Sequence, residues 1–180
     1  MEEITLTLEQ TAAMRQGFRY CPRCRNEMID RLVYGRVRRV CPDETCRFVQ
    51  FLDPKVGAAA LIEQQGQILL VKRSVEPFMG TWCLPGGFME IGETPQQTAQ
   101  RECLEETGID VEIRQLIDVY YYENHRGSGL LIIYQGKMIG GELCPGDDAA
   151  EAAFFSPDNL PIISFSSNIA AIARWQAGEI

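Results

Sequence analysis

The chain has 180 residues, 46% of them hydrophobic, which is enough to bury a core in one domain with at most a small appendage. Its formal net charge of −8 at pH 7 argues against a general nucleic-acid binder. The acidic start MEEITLTLEQ lacks the apolar core of a signal peptide, and apolar runs such as VGAAALI are too short to cross a membrane. We therefore expect a cytoplasmic protein with no membrane partner.

Four of the seven cysteines form two pairs near the start of the chain, Cys21 with Cys24 and Cys41 with Cys46. The first pair has the ordinary C-x-x-C spacing of zinc sites, and the second is longer but usable. Four thiolates suit tetrahedral Zn²⁺, and a unit this small needs such a staple. We predict a closed, structural zinc site in a zinc ribbon; the alternatives are four free cysteines or a disulfide pair.

The predicted ribbon is rich in arginine, and this could provide a surface for phosphate or RNA. The arginines are Arg23, Arg25, Arg31, Arg36, Arg38, Arg39 and Arg47. The favoured interpretation is a solvated face, partly balanced by the acidic residues Glu27, Asp30, Asp43 and Glu44. Nucleic acid is therefore a less favoured partner than a small molecule.

The run FLDPK reads as a linker, so we predict an N-terminal segment and ribbon at 1–53 and a second domain at 54–180. In that domain VGAAALIE, QQG and QILLVKR predict a β-hairpin. Strand-like VEIRQLIDVYYYE and LLIIYQGKMI follow, joined by a turn around Arg126, and then an acidic loop, PGDDAAEAA. SSNIAAIARWQAG has helical spacing. Mixed strands and helices predict an α/β or α+β domain.

A helix with clear boundaries is predicted between the two groups of strands, from Pro95 to Thr107. Thr94 suits the N-cap, Pro95 the first helical position, and Gln97 completes a capping box. Gly108 provides the C-terminal stop.

Three glutamates of this helix, Glu102, Glu105 and Glu106, have i, i+3, i+4 spacing and therefore share one side. Like charges at this spacing oppose a helix by roughly 0.2–0.5 kcal/mol per pair. Mg²⁺ would convert the repulsion into coordination, because it prefers carboxylate oxygens, water and phosphate. Arg101 can hold a carboxylate by two parallel bonds, and Glu93 could pair with Arg101 or reach the metal. A solvated acidic helix face is the alternative.

The stretch from Gly87 to Ile109 resembles the Nudix box, G-x5-E-x7-R-E-U-x-E-E-x-G-U, in which U is apolar. Its fixed positions are matched by Gly87, Glu93, Arg101, Glu102, Glu105, Glu106 and Gly108. Cys103 and Ile109 occupy the apolar positions, and a cysteine is a mild departure that a buried site accepts. With the upstream strands and WCLPGGF, the resemblance covers most of the chain from Val56 onward.

The resemblance implies a Nudix fold, a mixed sheet sandwiched between helices. It also implies that Glu102, Glu105 and Glu106 bind Mg²⁺ or Mn²⁺, with the Gly87 carbonyl as a further ligand. Water, deprotonated by a glutamate, would attack phosphorus. The general base is either Glu102 or Glu151 of the acidic loop, and a solvated loop charge is the alternative role for Glu151.

A zinc ribbon before a Nudix domain resembles NADH pyrophosphatases and a related group that acts on ADP-ribose or FAD. The run SQPWPFP that marks the NADH enzymes is absent, and so is the proline that marks many ADP-ribose enzymes. We expect ADP-ribose or FAD ahead of NADH as substrate. The alternatives are an RNA 5′-end pyrophosphohydrolase and a non-catalytic nucleotide-binding regulator, although the intact box argues against the latter.

Three aromatic residues, Phe78, Trp82 and Tyr122, are candidates for stacking on an adenine or flavin ring. Core packing is the more common role of such residues and is the alternative for each. The sequence leaves a homodimer open.

Overall fold

The computed structural model describes residues 7–124 and 127–180. Its α-helices are α1 (Leu8–Gln16), α2 (Pro95–Thr107) and α3 (Ser166–Gln176), with a short 3₁₀-helix at Pro157–Asn159. The strands are β1 (Ile29–Val33), β2 (Arg36–Val40), β3 (Lys55–Gln64), β4 (Gln67–Arg73), β5 (Trp82–Cys83), β6 (Gly86–Phe88), β7 (Ile109–Asn124), β8 (Gly127–Gly141) and β9 (Ala149–Phe155). Within this part of the chain, no helix is both long and apolar enough to cross a bilayer. The predicted turn around Arg126 includes a position outside the described residues.

The chain forms two compact units. The smaller comprises the described part of Met1–Lys55 with Glu123–Ser128, and the larger comprises Val56–Tyr122 with Gly129–Ile180.

In the smaller unit, β1 and β2 form an antiparallel hairpin in which Ile29 pairs with Val40 and Val33 with Arg36. Its buried apolar cluster is small, built on Cys21, Met28 and Cys41. A core of this size needs a further source of stability, such as a disulfide or a metal.

The larger unit is built on one sheet with the strand order β5-β4-β3-β8-β7, while β6 pairs with β3 and β9 pairs with β4. The predicted hairpin of β3 and β4 is present and antiparallel. The two strand-like runs after α2 are also confirmed, as the long strands β7 and β8.

Alternation along β3 explains why both faces of this sheet are covered. Ala59 and Leu61 belong to one apolar cluster with Ile172 and Trp175 of α3. The intervening Ala58, Ala60 and Ile62 belong to a second cluster with Ala99 and Cys103 of α2. Because successive strand residues point to opposite faces, one apolar run holds a helix on each side. The predicted sheet between helices is therefore confirmed.

Helix α2 begins and ends where the sequence predicts. Thr94 accepts a hydrogen bond from the Gln97 backbone, and the Gln97 side chain accepts one from the Thr94 backbone. Gly108 ends the helix in the left-handed conformation, with φ of 71°. A side chain there would also meet the Glu142 carbonyl oxygen 2.4 Å from its Cβ, so only glycine fits.

The predicted acidic loop is wrong in its second half. Residues from Ala149 onward form β9, which pairs with β4 in antiparallel register. The small side chains of this run carry little strand signal of their own, and the pairing comes from the backbone groups that β4 offers. Glu151 therefore lies on a strand, opposite Lys72.

Candidate active site

Arg101 joins three of the predicted glutamates. Its guanidinium makes two bonds to Glu93, from Nε to Oε1 at 2.6 Å and from Nη2 to Oε2 at 3.0 Å. Its Nη1 donates to Glu102 Oε1 at 2.7 Å and to Glu105 Oε2 at 3.0 Å. Nη2 also donates to the Phe88 carbonyl at 3.0 Å. The rigid fork of an arginine thus fixes the carboxylates relative to the loop that carries Phe88.

Glu93 is held from several directions just before α2. Besides the bonds from Arg101, its Oε2 accepts from the Thr98 hydroxyl at 2.8 Å and from the Glu90 backbone N–H at 3.0 Å. Arg101 and then the Glu90 N–H lower the pKa of Glu93 to about 2. Glu93 is therefore an ionised, fixed partner of Arg101, which favours its sequence-predicted pairing role over direct metal contact.

The glycines before the helix let the backbone come close to the glutamates. In the β3–β6 pairing, Gly87 lies opposite Ala58. A Cβ on Gly87 would lie 2.3 Å from Glu102 Oε1, so any larger residue would displace that carboxylate. The neighbouring Gly86 N–H donates to Glu106 Oε2 at 2.9 Å.

Glu102 and Glu106 are buried, at 9% and 6% exposure. Burial raises the pKa of Glu106 to about 9 despite its bond from the Gly86 N–H, and it also raises that of Glu102. Two adjacent acids out of contact with water are costly when ionised, unless a cation compensates them. Carboxylate oxygens beside a backbone that has no side chain at Gly87 are a donor set that fits a hard divalent cation.

A fourth acidic residue, Asp148, completes this group. Its carboxyl group hydrogen-bonds that of Glu106, and its charge raises the pKa of both Glu106 and Glu102. The Asp148 carbonyl accepts from the Ser74 backbone N–H at 2.9 Å, which ties its loop to the end of β4. The sequence predicts the acidic loop, with Glu151 as its candidate residue. The two adjacent acids Asp147 and Asp148 could have suggested a metal site from the sequence. Their distance from the glutamates of α2, however, is determined only by the fold.

The carboxylates do not form a compact ligand set in this structure. Across residues 7–124 and 127–180, only the four cysteines bring at least three histidine, cysteine, aspartate or glutamate ligand atoms within 4.8 Å of one another. Glu105 is exposed, and its carboxylate faces Arg101 instead of Glu102 and Glu106.

Glu151 lies apart from this hydrogen-bonded group. Its carboxylate accepts from Lys72 Nζ at 2.8 Å, across the β4–β9 pairing. This ion pair with Lys72 at the strand surface fits the alternative role of Glu151 as a surface charge.

The three aromatic candidates have different surroundings. Trp82 packs against the apolar cluster under α3 and meets Phe155 edge to face at 4.7 Å between centroids. Tyr122 is half-buried on β7. Phe78 alone of the three is exposed, at 50%.

Phe78 belongs to an aromatic group whose second ring, Phe165, is distant in the sequence. Its ring meets that of Phe165 edge to face, with centroids 5.4 Å apart. The Arg73 guanidinium lies 5.2 Å from the Phe165 centroid, and its Nε donates to the Pro77 carbonyl at 2.7 Å. Arg73 precedes Ser74, whose N–H binds the Asp148 carbonyl. This backbone hydrogen bond connects the segment that carries Arg73 to the loop that carries Asp148.

The four ribbon cysteines come together as predicted. Sγ of Cys21 lies 3.7 Å from that of Cys46, and Sγ of Cys24 lies 3.3 Å from that of Cys41. Thiolates around one tetrahedral zinc ion, each bound at about 2.3 Å, would lie about 3.8 Å apart. All four are free thiols, which excludes a disulfide pair in this structure. Burial raises the pKa of Cys41 to about 12.

Comparison with known proteins gives consistent matches. The NUDIX domain family model matches residues 52–176. An ADP-ribose pyrophosphatase of Methanocaldococcus jannaschii is 42% identical over 71% of this chain and 78% of its own length. The NAD-capped RNA hydrolase NudC of Vibrio vulnificus is 27% identical over 89% of this chain, which spans 59% of that relative's length.

The fold is also that of a solved Nudix structure. A crystal structure of a NUDIX hydrolase from Nitrosomonas europaea superimposes with a TM-score of 0.80 and 33% identity, covering 88% of this chain and 90% of that one. The complete box, the sheet between two helices and these matches agree, and the chain belongs to the Nudix hydrolase family.

Proposed function

We propose that the chain cleaves the pyrophosphate bond of a nucleoside diphosphate linked to a second moiety, with ADP-ribose or FAD favoured over NADH. The observation that carries the proposal is the buried pair Glu102 and Glu106 beside Gly87, with Arg101 holding the adjacent acids. Similarity to an ADP-ribose pyrophosphatase supports the reaction class and, more weakly, the substrate.

The residues that would hold a divalent cation are Glu102, Glu105 and Glu106, with the carbonyl of Gly87. Mg²⁺ or Mn²⁺, when bound, supplies positive charge to phosphate oxygens and lowers the pKa of a bound water. Arg101 keeps Glu102 and Glu105 oriented, because its Nη1 donates to both. Burial raises the pKa of Glu106 to about 9, so in the absence of a cation Glu106 holds a proton at neutral pH.

Glu102 is the favoured general base. Burial raises its pKa, which makes it a stronger proton acceptor than an ordinary carboxylate, and it lies against Gly87. Glu151 is the second candidate, and its ion pair with Lys72 counts against it. Asp148 is better placed than Glu151 to assist, because its carboxyl group touches Glu106.

Phe78, Phe165 and Arg73 are the groups we assign to the nucleobase. An exposed ring can stack on a purine or flavin, whereas Trp82 is committed to core packing. The Arg73 guanidinium adds positive charge next to the rings for a substrate that carries a diphosphate.

Hydrolysis at an RNA 5′ end is the second candidate function. It is favoured by the similarity to an NAD-capped RNA hydrolase and by the arginine-rich ribbon. A non-catalytic nucleotide-binding regulator is the least favoured, because no glutamate of the box is missing.

Replacing either of two glutamates tests the metal assignment. We expect Glu105→Gln and Glu106→Gln to lower kcat by at least roughly 100-fold, because charge stabilisation by a metal is worth several kcal/mol. The fold should persist, since glutamine resembles the protonated carboxyl that Glu106 carries without metal. Turnover at saturating Mg²⁺ and circular dichroism provide the readouts. Glu112→Gln, which breaks only an exposed ion pair with Arg114, is the control; unchanged turnover in the Glu105 and Glu106 variants would refute the assignment.

A hydrolysis panel with Mg²⁺ tests the substrate. It should contain ADP-ribose, FAD, NADH, diadenosine polyphosphates, coenzyme A and triphosphorylated RNA. We expect the highest kcat/KM for ADP-ribose or FAD, with AMP among the products. Phe78→Ala should raise KM more than it lowers kcat, because stacking binds substrate and transition state alike. If triphosphorylated RNA gives the highest kcat/KM, the second candidate function replaces the first.

We also propose that Cys21, Cys24, Cys41 and Cys46 bind one structural zinc ion. The compact thiol cluster and the small apolar core of the ribbon support this assignment. The site would be closed, with four protein ligands and no position for substrate.

Elemental analysis should find about one zinc ion per chain, retained through mild chelation because the site is closed. Cys24→Ser should lose the zinc and the amide hydrogen-exchange protection of residues 21–49, because the small ribbon core cannot fold alone. Cys144→Ser, which changes an exposed cysteine outside the cluster, is the control. A zinc-free chain with a protected ribbon would contradict the assignment.

A further inference from the structure

One face of the ribbon hairpin carries three arginines. In the β1–β2 register Arg31 lies directly opposite Arg38, and Val33 lies opposite Arg36. Directly opposed residues point to the same side of a two-stranded sheet, as do residues two apart on one strand. Arg31, Arg36 and Arg38 therefore share one face, which we call the arginine face.

The hairpin itself explains Arg38, whose Nη1 donates to the Val33 and Tyr34 carbonyls at the turn, but it does not explain Arg31 or Arg36. Like charges directly opposite each other destabilise a strand pair, as Arg31 and Arg38 do here. The hairpin's acid, Asp30, lies on the other face and pairs with Arg39 at 3.5 Å. Within the described residues neither Arg31 nor Arg36 has an ion-pair partner. An anionic partner would remove the repulsion.

Two aromatic rings lie at the tip of the arginine face. Tyr34 is 78% exposed. Its φ of 51° is a left-handed conformation, which costs free energy for a residue that has a side chain. Its ring lies nearly parallel to that of Phe51, at 14° and 6.4 Å between centroids. The Arg38 guanidinium lies 5.9 Å from the Tyr34 centroid and 4.9 Å from the Phe51 centroid. Exposed flat groups of this kind are platforms for unpaired bases.

A cleft of about 370 Å³ continues this surface along the ribbon, with Arg31, Tyr34, Arg47 and Phe48 in its lining. Two acidic residues also line it. The Asp43 carboxylate accepts hydrogen bonds from the backbone N–H groups of Thr45 and Cys46, so it stays ionised and adds to the negative charge of Glu44 in this cleft.

The charge of the ribbon contrasts with that of the whole chain. Between residues 19 and 47 there are eight arginines and four acidic residues, whereas the chain has a formal net charge of −8. Four thiolates on one zinc ion would lower the local charge by about two and leave it positive. A polyanion would therefore be attracted to the ribbon in particular.

We propose that the arginine face, with Tyr34 and Phe51, binds single-stranded nucleic acid. Phosphates would lie along Arg31 and Arg36, while bases stack on Tyr34 and the Arg38 guanidinium. This inference goes beyond the proposed pyrophosphatase activity and does not depend on it. A duplex would use the arginines but not the exposed rings, since a duplex keeps its bases stacked internally.

Fluorescence anisotropy on the full, zinc-loaded chain tests the proposal. The probe is a labelled 12-nucleotide single-stranded RNA with a 5′ hydroxyl, which has no pyrophosphate bond to cleave. Binding to this probe therefore reports the ribbon whether or not the proposed hydrolysis is correct. Competitors are the same sequence as a duplex and vesicles of phosphatidylcholine with phosphatidylserine.

We expect Tyr34→Ala to weaken binding by at least about 5-fold and Tyr34→Phe to retain it. The double variant Arg31→Gln with Arg36→Gln should reduce the slope of log Kd against log salt by about 1.4, for two lost phosphate contacts. Arg114→Gln is the matched control on the larger unit, and zinc content verifies that each ribbon variant is folded. Equal binding of duplex or vesicles, variants that bind like the unchanged chain, or no binding at low salt would each overturn the proposal.

Discussion

The constraint on which the candidate site depends is the crowding of like charges at one side of α2. Glu102, Glu105 and Glu106 repel one another within a single helical turn, and Asp148 adds a further acid from another loop. Arg101 offsets part of this repulsion by binding Glu93, Glu102 and Glu105 together. Glu106 lies outside its reach and is raised in pKa by burial. That uncompensated acid is why the site fits a cation.

The fold supplies the close approach that this chemistry requires. Strand β3 holds α2 on one face of the sheet, and its pairing with β6 places Gly86 and Gly87 against the glutamates. The Gly86 N–H fixes Glu106, while the missing side chain of Gly87 leaves room for Glu102. A helix, a strand and two glycines thus fix Glu102 and Glu106 before any ligand binds, whereas Glu105 faces Arg101 and would have to turn to join them at a cation.

The features that could be predicted from the sequence are those that depend on contacts between residues close along the chain. Thr94, Gln97 and Gly108 determine the ends of α2 through contacts within a few residues, and glutamate spacing on a helix follows from its geometry. The spacing of the two cysteine pairs likewise predicted that the four cysteines would cluster. Asp148 could not be chosen this way, because its contact with Glu106 spans forty-two positions and depends on how β9 pairs with β4. Glu151 was placed in a loop because an alanine-rich strand has no strong strand signature.

Binding of Mn²⁺, followed by electron paramagnetic resonance, tests the central claim that the carboxylates and the Gly87 backbone form one cation site. Gly87→Ala would place a Cβ 2.3 Å from Glu102 Oε1, whereas Gly140→Ala adds a Cβ on β8 with no other atom within 4 Å. We predict that the unchanged chain and Gly140→Ala bind Mn²⁺ alike, and that Gly87→Ala binds it at least about 10-fold more weakly, as loss of supporting geometry at metal sites does. Equal Mn²⁺ affinity in all three proteins, or no binding by the unchanged chain, would contradict it.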